Sequence, residues 1–482
     1  MKNIPVNTKK IEKYQCPSCR HFNSANSQRC SNCWKYLKPG EHLIPKTFLG
    51  KISQFFKVWG FLIVIVLGLI GWGLYDKLGV ERFISPPKSN ISSISDAGDW
   101  AMFQRNPGHT GFAPNEVYNG MGIHIPEGVV KWKFETLAPI LSSPIVVGDS
   151  IYLSTGDRRI LSLDTVTGQK LWEYMVTGPV DSSIAVAGRM AFVGLRDGRL
   201  LALDRENGTL IWEFDTGNPV YSSPVVYKGI VYITSGSKKI FAIDAITGLK
   251  RWEYYAGDWI ISSPVVNDEI VAFIVADRTI HVLGLKSAKN RLLYSLPHFT
   301  DNSLVLSKDR LFVSDKAGRL RGLDWRKREL FSFERFLRMV KAQFFIWGML
   351  DTPPIPKGFV WIFKDKDREA FTMPAVSNEK LVIGSLSGYM YSLNTVNGEV
   401  LWEIKLGAPI SAPPTIGGNL VLVGDEDGFL YFLDIADGEI VKKIKIDGNS
   451  DQNPSSGVTS PPVIANKTIY LTTQIGNLYA IK

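Results

Sequence analysis

The residues best equipped for chemistry in this 482-residue chain are four cysteines, all within the first 33 positions. Cys16 and Cys19, then Cys30 and Cys33, make two CxxC pairs with ten residues between them. Each pair turns tightly enough to offer two thiolates to one ion, and two pairs complete a tetrahedral set of four sulfurs. Such a set leaves no open position, so it points to a structural zinc ion rather than a catalytic one. A redox CxxC is the competing chemistry, but the βαβ pattern that would surround it is missing. The histidines (His21, His42, His109, His124, His281 and His298) show no HxH or HxxxH pairing, and His281 reads as a core residue. There is no Walker loop and no Gly-x-Ser-x-Gly elbow.

The cysteine arrangement resembles the short zinc ribbons at the N-termini of many prokaryotic membrane proteins. Arg20 and Trp34 stand where that family often has Gly after each pair, which leaves the geometry of the turns open. Residues 1–57 hold eleven Lys or Arg against two Glu, a surplus that equals the whole net charge of +9. A basic arm of this kind could meet nucleic acid or anionic lipid, but the ordinary bias of basic residues toward the cytoplasmic side explains it better. Nucleic acid is not an expected partner.

Val58 to Tyr75 is an uncharged apolar run of eighteen residues, flanked by Phe55, Phe56 and Leu78 and carrying Trp59, Trp72 and Tyr75 near its ends. Roughly 20 apolar residues cross a bilayer as a helix. The run therefore predicts one transmembrane helix, over 56–78. Lys46, Lys51 and Lys57 precede it, so the N-terminus should be cytoplasmic and the bulk of the chain extracytoplasmic. The expected order is a basic arm at 1–13, a zinc ribbon at 14–38, a basic linker at 39–55, the helix, a Ser- and Pro-containing stem at 79–98, and a large domain at 99–482. This is a single-pass protein of the cell membrane.

The large domain is built from repeats. Trp132, Trp172, Trp212 and Trp252 recur every 40 residues, and Trp402 heads a further copy. Asp164, Asp204 and Asp244, then Gly168, Gly208 and Gly248, keep the same period, as do serine pairs from Ser142-Ser143 to Ser262-Ser263. One unit, Ser222 to Tyr255, reads as four short strands separated by polar turns, the content of one propeller blade. Aspartate can accept backbone N–H bonds in the turn, and Gly248 can take φ > 0. A Trp four residues later can lie over the neighbouring blade's turn and lock blade to blade. Regular spacing of the aspartates argues for capping rather than catalysis.

These motifs (LDTVTGQKLWEY, LDRENGTLIWEF, IDAITGLKRWEY, LNTVNGEVLWEI) resemble the tryptophan-docking repeats of PQQ-type, quinoprotein-like propellers, and the lead-in DWAMFQRNPGHTGFAP is similar to that family's own. Third-strand endings at Asp164, Asp204, Asp244, Gly284, Asp324, Asn394, Asp434 and Lys482 count eight blades. The last copy stops after three strands, and Val130 to Glu135 can supply its fourth. The expected fold is all-β: an eight-bladed β-propeller closed by N- and C-terminal strands, plus the four-cysteine zinc ribbon and one transmembrane α-helix.

The pattern breaks in three blades. Leu292, Ser332 and Lys442 occupy the tryptophan phase of blades four, five and seven, and an insert of about thirty residues runs roughly from 335 to 368. Phe336, Val340, Phe344 and Trp347 would share one helical face there, beside Arg338 and Lys341. Lys286 to Lys341 carries fourteen basic and six acidic residues. These six insert residues are candidate contacts to a partner or to a membrane surface with anionic lipid.

The resemblance implies a PQQ- and calcium-dependent alcohol or sugar dehydrogenase as one function. No matching Glu/Asn/Asp set or adjacent-cysteine disulfide is found in the large domain, so PQQ is not expected. The family's non-catalytic branch includes the scaffold lipoprotein of outer-membrane barrel assembly, and a binding or assembly scaffold with protein partners on the propeller face or the insert is the preferred expectation. A ligand sensor signalling through the zinc ribbon is the remaining alternative.

Overall fold

In the computed structural model of the chain, residues 13–16, 18–24, 27–37, 99–114, 129–136, 138–140, 142–328, 332–352, 354–377, 379–446, 457, 458, 460–473 and 475–482 are described. The chain divides into two compact units, Met1–Asp76 and Lys77–Lys482. In the first, Lys13–Gln15 pairs with Phe22–Ser24 as a small antiparallel hairpin. The expected arm up to residue 12, the linker, the 56–78 run and the stem lie outside the described residues.

The single-pass architecture needs correction. Among the described residues no helix is long and apolar enough to cross a membrane. The expected transmembrane helix is therefore not part of the described fold. The topology built on it is not retained either: N-terminus cytoplasmic, propeller extracytoplasmic, the membrane as partner through a span or anionic lipid.

The second unit is an all-β propeller of eight blades. Seven are built on four antiparallel strands in sequence order, blade seven with Phe112–Ala113 added as a parallel fifth, and the eighth joins Val463–Ala465, Thr468–Thr472 and Asn477–Ile481 to Val130–Glu135. Ala480 stands opposite Trp132 in that closing pair, so no open sheet edge remains between first and last blade. The apolar core lies at the seams. Around blade one, Ile145, Leu161 and Leu163 pack with Val186, Val193 and Leu201 of blade two and Val463, Tyr470 and Leu478 of blade eight.

All eight blades carry a register shift at the same place in the third strand, at Ala202/Leu203 in blade two and Ala242/Ile243 in blade three, for example. A bulge sharpens the local twist of the strand that carries it. Here it sits just before the docking tryptophan of the outer strand and turns that ring toward the next blade. The third-strand residue opposite each tryptophan is small: Ser162, Ala202, Ala242, Gly322, Ser392 and Ala480. Where tryptophan is replaced by Leu292 or Lys442, the opposite residue is Val282 or Phe432.

Blade five differs from the sequence expectation. Its fourth strand is Phe359–Lys364, so the inserted segment is 325–358, ten residues earlier than expected, and Trp361 is the docking tryptophan. Ser332 instead opens an α-helix, Ser332–Ile346. The gaps in the tryptophan series follow from their neighbours. Lys442 would face blade eight, whose third and fourth strands are chain-separate, bonded through Lys482 and Val129, and have no turn to dock on. Leu292 faces the seam where the insert replaces the turn. Trp325 fills that seam from the opposite side, its Nε1 donating to the Lys308 carbonyl at 3.0 Å.

Candidate metal centre and contact surface

The two cysteine turns have the same backbone construction. Arg20 N–H donates to the Cys16 carbonyl at 2.8 Å and Cys16 N–H to the His21 carbonyl at 2.8 Å; Trp34 and Cys30 repeat this with Cys30 and Lys35 at 2.9 Å each. Closing each turn requires a left-handed residue, and Arg20 (φ 61°) and Trp34 (φ 56°) take that role without glycine. A non-glycine residue there costs about 1–2 kcal/mol. The result is one compact cluster: the four sulfurs lie within 4.8 Å of one another, with Cys16–Cys33 at 3.5 Å and Cys19–Cys30 at 3.4 Å. Zn–S bonds of about 2.3 Å would set tetrahedral sulfurs about 3.8 Å apart, so the spacing fits a metal of that size.

Two of the four thiols are drawn toward the thiolate. The Cys19 N–H draws the Cys16 thiol below its ordinary value. At Cys30 burial opposes ionisation, yet the N–H groups of Cys33 and Asn32 and the Asn23 amide bring it down to about 6. Asn23 is buried and doubly used. Its Nδ2 lies 3.5 Å from the Cys30 sulfur while its Oδ1 accepts the Ser31 N–H at 2.9 Å. This cluster can coordinate a metal ion. Asn23 carried no sequence signal, because its role depends on the pairing of two hairpins.

In the propeller, five of the six docking tryptophans donate a hydrogen bond to the turn they cover. Nε1 of Trp132, Trp172, Trp212, Trp361 and Trp402 reaches the carbonyls of Thr165, Arg205, Ala245, Thr395 and Ile435 at 2.9–3.2 Å. A Cβ on Gly168, Gly208 or Gly248 would meet the facing ring at 2.6–2.8 Å. The turn facing Trp252 has Ala288 at φ 52° instead of glycine. The repeat aspartates cap these turns. The Thr167 N–H and hydroxyl, with the Val166 N–H, hold the Asp164 carboxyl below its usual range. His281 sits buried in blade four, 3.2 Å from the Tyr254 hydroxyl and stacked on Phe273.

The segment 99–114 occupies the centre of the ring. Its carbonyls from Trp100 to Gly111 accept N–H bonds from Val146, Val186, Val266, Leu306, Val376 and Ile416, the innermost strands of blades one, two, four, five, six and seven, at 2.8–3.0 Å. Phe112–Ala113 then runs parallel to Thr415–Gly417. Gln104, Arg105, His109 and Gly111 all take positive φ, which coils the segment tightly enough to fit. Beside its exit lies an open cleft of about 760 Å³ lined by Phe112, Pro114, Lys308, Glu379 and Lys380.

The insert projects from the corner of blade five where other blades have the docking turn. Its helix presents an apolar face outward: Met339 is 63% exposed, Ile346 71% and Trp347 60%, with Phe336, Leu337 and Phe344 also exposed. Val340 and Arg338 are half-buried and Lys341 is exposed. The opposite side is the anchored one, where Glu334 pairs with Lys357 at 2.5 Å. Gly348 (φ 72°) ends the helix, its N–H and that of Met349 returning to Phe345 and Phe344. Phe336, Val340, Phe344 and Trp347 are thus brought onto one element.

A family model described as outer membrane protein assembly factor BamB matches residues 121–219, 175–258, 196–329 and 358–482. Among curated proteins none matches the sequence significantly. Of solved structures, BamB from Moraxella catarrhalis is similar at 17% identity and a TM-score of 0.56, over 74% of this chain and 98% of that one. The computationally designed protein Ika8 aligns at 15% and 0.56, over 72% and 97%. Quinohemoprotein alcohol dehydrogenase from Comamonas testosteroni aligns at 14% and 0.60, over 85% and 84%. At these identities the likeness is one of fold.

Proposed function

The chain belongs to the family described as outer membrane protein assembly factor BamB, and on that premise we propose that its propeller is a non-catalytic scaffold for protein partners, accompanied by a structural zinc module. The observation that carries this reading is the insert, an arm rooted through its polar side with its apolar face turned to solvent. Exposed apolar patches of this kind mark interaction sites. Two further features agree with it. The chain's own segment 99–114 takes up the inner-strand amides of six blades, and the repeat aspartates that could be read as acids are engaged in turns. Phe336, Val340, Phe344, Trp347, Arg338 and Lys341 are the contact residues of this scaffold. Zinc is assigned to Cys16, Cys19, Cys30 and Cys33 from four soft donors at tetrahedral spacing.

Metal analysis and PQQ titration of the full chain test the reading. We expect one zinc per chain and no saturable, calcium-dependent uptake of PQQ. Tight calcium-dependent PQQ binding would overturn the non-catalytic assignment, and a chain purified without zinc would remove the metal from the first module.

A further inference from the structure

We propose that the arm binds a protein partner through an acidic amphipathic helix; the proposal rests on the scaffold reading and names its ligand class. A surface helix normally turns its apolar stripe to the core and its charges to water. The helix Ser332–Ile346 does not: none of its described side chains is buried, and most of its large apolar ones are exposed. Phe336, Val340, Phe344 and Trp347 recur at four- and three-residue steps, with Val340 half-buried, the other three exposed and Met339 exposed beside them, while Glu334 on the far side is tied to Lys357 at the root. Beyond the helix, Met349 (67% exposed) and Ile355 (73%) continue the apolar surface along the tip. Side chains at these steps form the ridges into which a second helix packs. Methionines at two of the positions give a surface that can adapt to its partner.

Charge selects among the helices that could pack there. Lys341 borders the apolar side, and Lys327 and Arg328 are exposed where the arm leaves the third strand of blade five, beside Arg326, which pairs with Asp309 and Asp324. The segment 286–341, which leads into the helix and reaches its middle, carries fourteen basic residues against six acidic ones. A partner helix flanked by Asp and Glu gains from this field, and one flanked by Lys and Arg loses. A second copy of the arm would bring like charges together, so self-association is disfavoured at this surface.

The test is fluorescence anisotropy of the full chain with a labelled acidic amphipathic helical peptide of about 20 residues. A Lys/Arg version of the same peptide, and an acidic scramble without an apolar face, serve as comparisons. The acidic helix should bind at least about tenfold more tightly than either, and added salt should weaken it. Met339→Ser with Trp347→Ser should remove most of the binding. Lys327→Glu, Arg328→Glu and Lys341→Glu together should shift the preference to the basic peptide. A chain whose segment 325–358 is replaced by the turn sequence of blade three controls for folding; it should melt cooperatively yet bind no peptide. Equal binding of acidic and basic peptides, absence of binding, binding unchanged by the arm variants, or a concentration-dependent dimer abolished by Trp347→Ser would each overturn the proposal. If the peptide fails while protein partners still crosslink to the arm, only the ligand class is lost and the scaffold reading stands.

Discussion

Residues facing each other across blade seams do much of the specification, and their contributions can be separated by substitution. At Gly248 two demands coincide: a backbone at φ 70° and a Trp212 ring 2.8 Å from where a Cβ would sit. Gly217 makes only the first demand, with φ 81° and open space around it. Gly248→Ala should therefore cost about 2–4 kcal/mol and Gly217→Ala about 1 kcal/mol in denaturant unfolding. Equal losses would show that ring stacking adds nothing. His109 offers a second test, through pH. Burial in the ring's centre pushes its imidazole down to about 3, although the Leu304 backbone favours the charged form. Its value in the unfolded chain is about 6.5, so the unfolded state takes up the proton first as pH falls. Stability from this group is constant above neutrality and declines from about pH 6.5 toward 3, by about 2 kcal/mol between pH 7 and 5. His109→Asn, which tolerates the same backbone, should flatten that decline. The cysteine spacing, the tryptophans and the glycines were all legible in the sequence. The place of His109 was not, because no local pattern reveals that a lead-in segment will coil inside a ring.

Elements obey a rule that the structure makes explicit: a tryptophan is present where the next blade offers a docking turn. That accounts for Lys442, opposite a blade whose third and fourth strands no turn joins, and for Leu292, opposite the insert. It also accounts for Trp361, which the 40-residue count missed because the insert lies before the fourth strand rather than after it. A 40-residue period puts Ser332 in the tryptophan phase only if the fourth strand follows the third directly, and Ser332 instead begins a helix. The rule predicts that Lys442→Trp will not raise the melting temperature, since there is no turn to cover and Phe432 already fills the small-residue position opposite. A rise comparable to the loss caused by Trp402→Ala would contradict it. Serines add a second, partial belt. Ser143, Ser183, Ser223 and Ser263 N–H groups each donate to the serine hydroxyl 40 residues on, ending at Ser303. The belt stops at blade five, the same blade that carries the arm.

The whole propeller is thus regular from blade one to blade three and specialised around blades four and five. Repetition made the blade number and the closure readable, because each copy must bury the same faces. The N-terminal module was readable for a different reason, since four sulfurs in two pairs leave few other chemistries. The purpose of the arm was only partly readable. Helical spacing marked an apolar face, and only the packing shows that this face looks outward. The central claim, that the arm is the protein-binding surface of a scaffold, is tested most directly by site-specific photocrosslinking in living cells. A photoreactive residue at Ile346 on the arm would be compared with one at Val166, equally exposed on the blade-one turn. The account predicts a discrete protein adduct from position 346 that disappears with Trp347→Ser, and none from position 166. No adduct from the arm, or the same adducts from both positions, would contradict it.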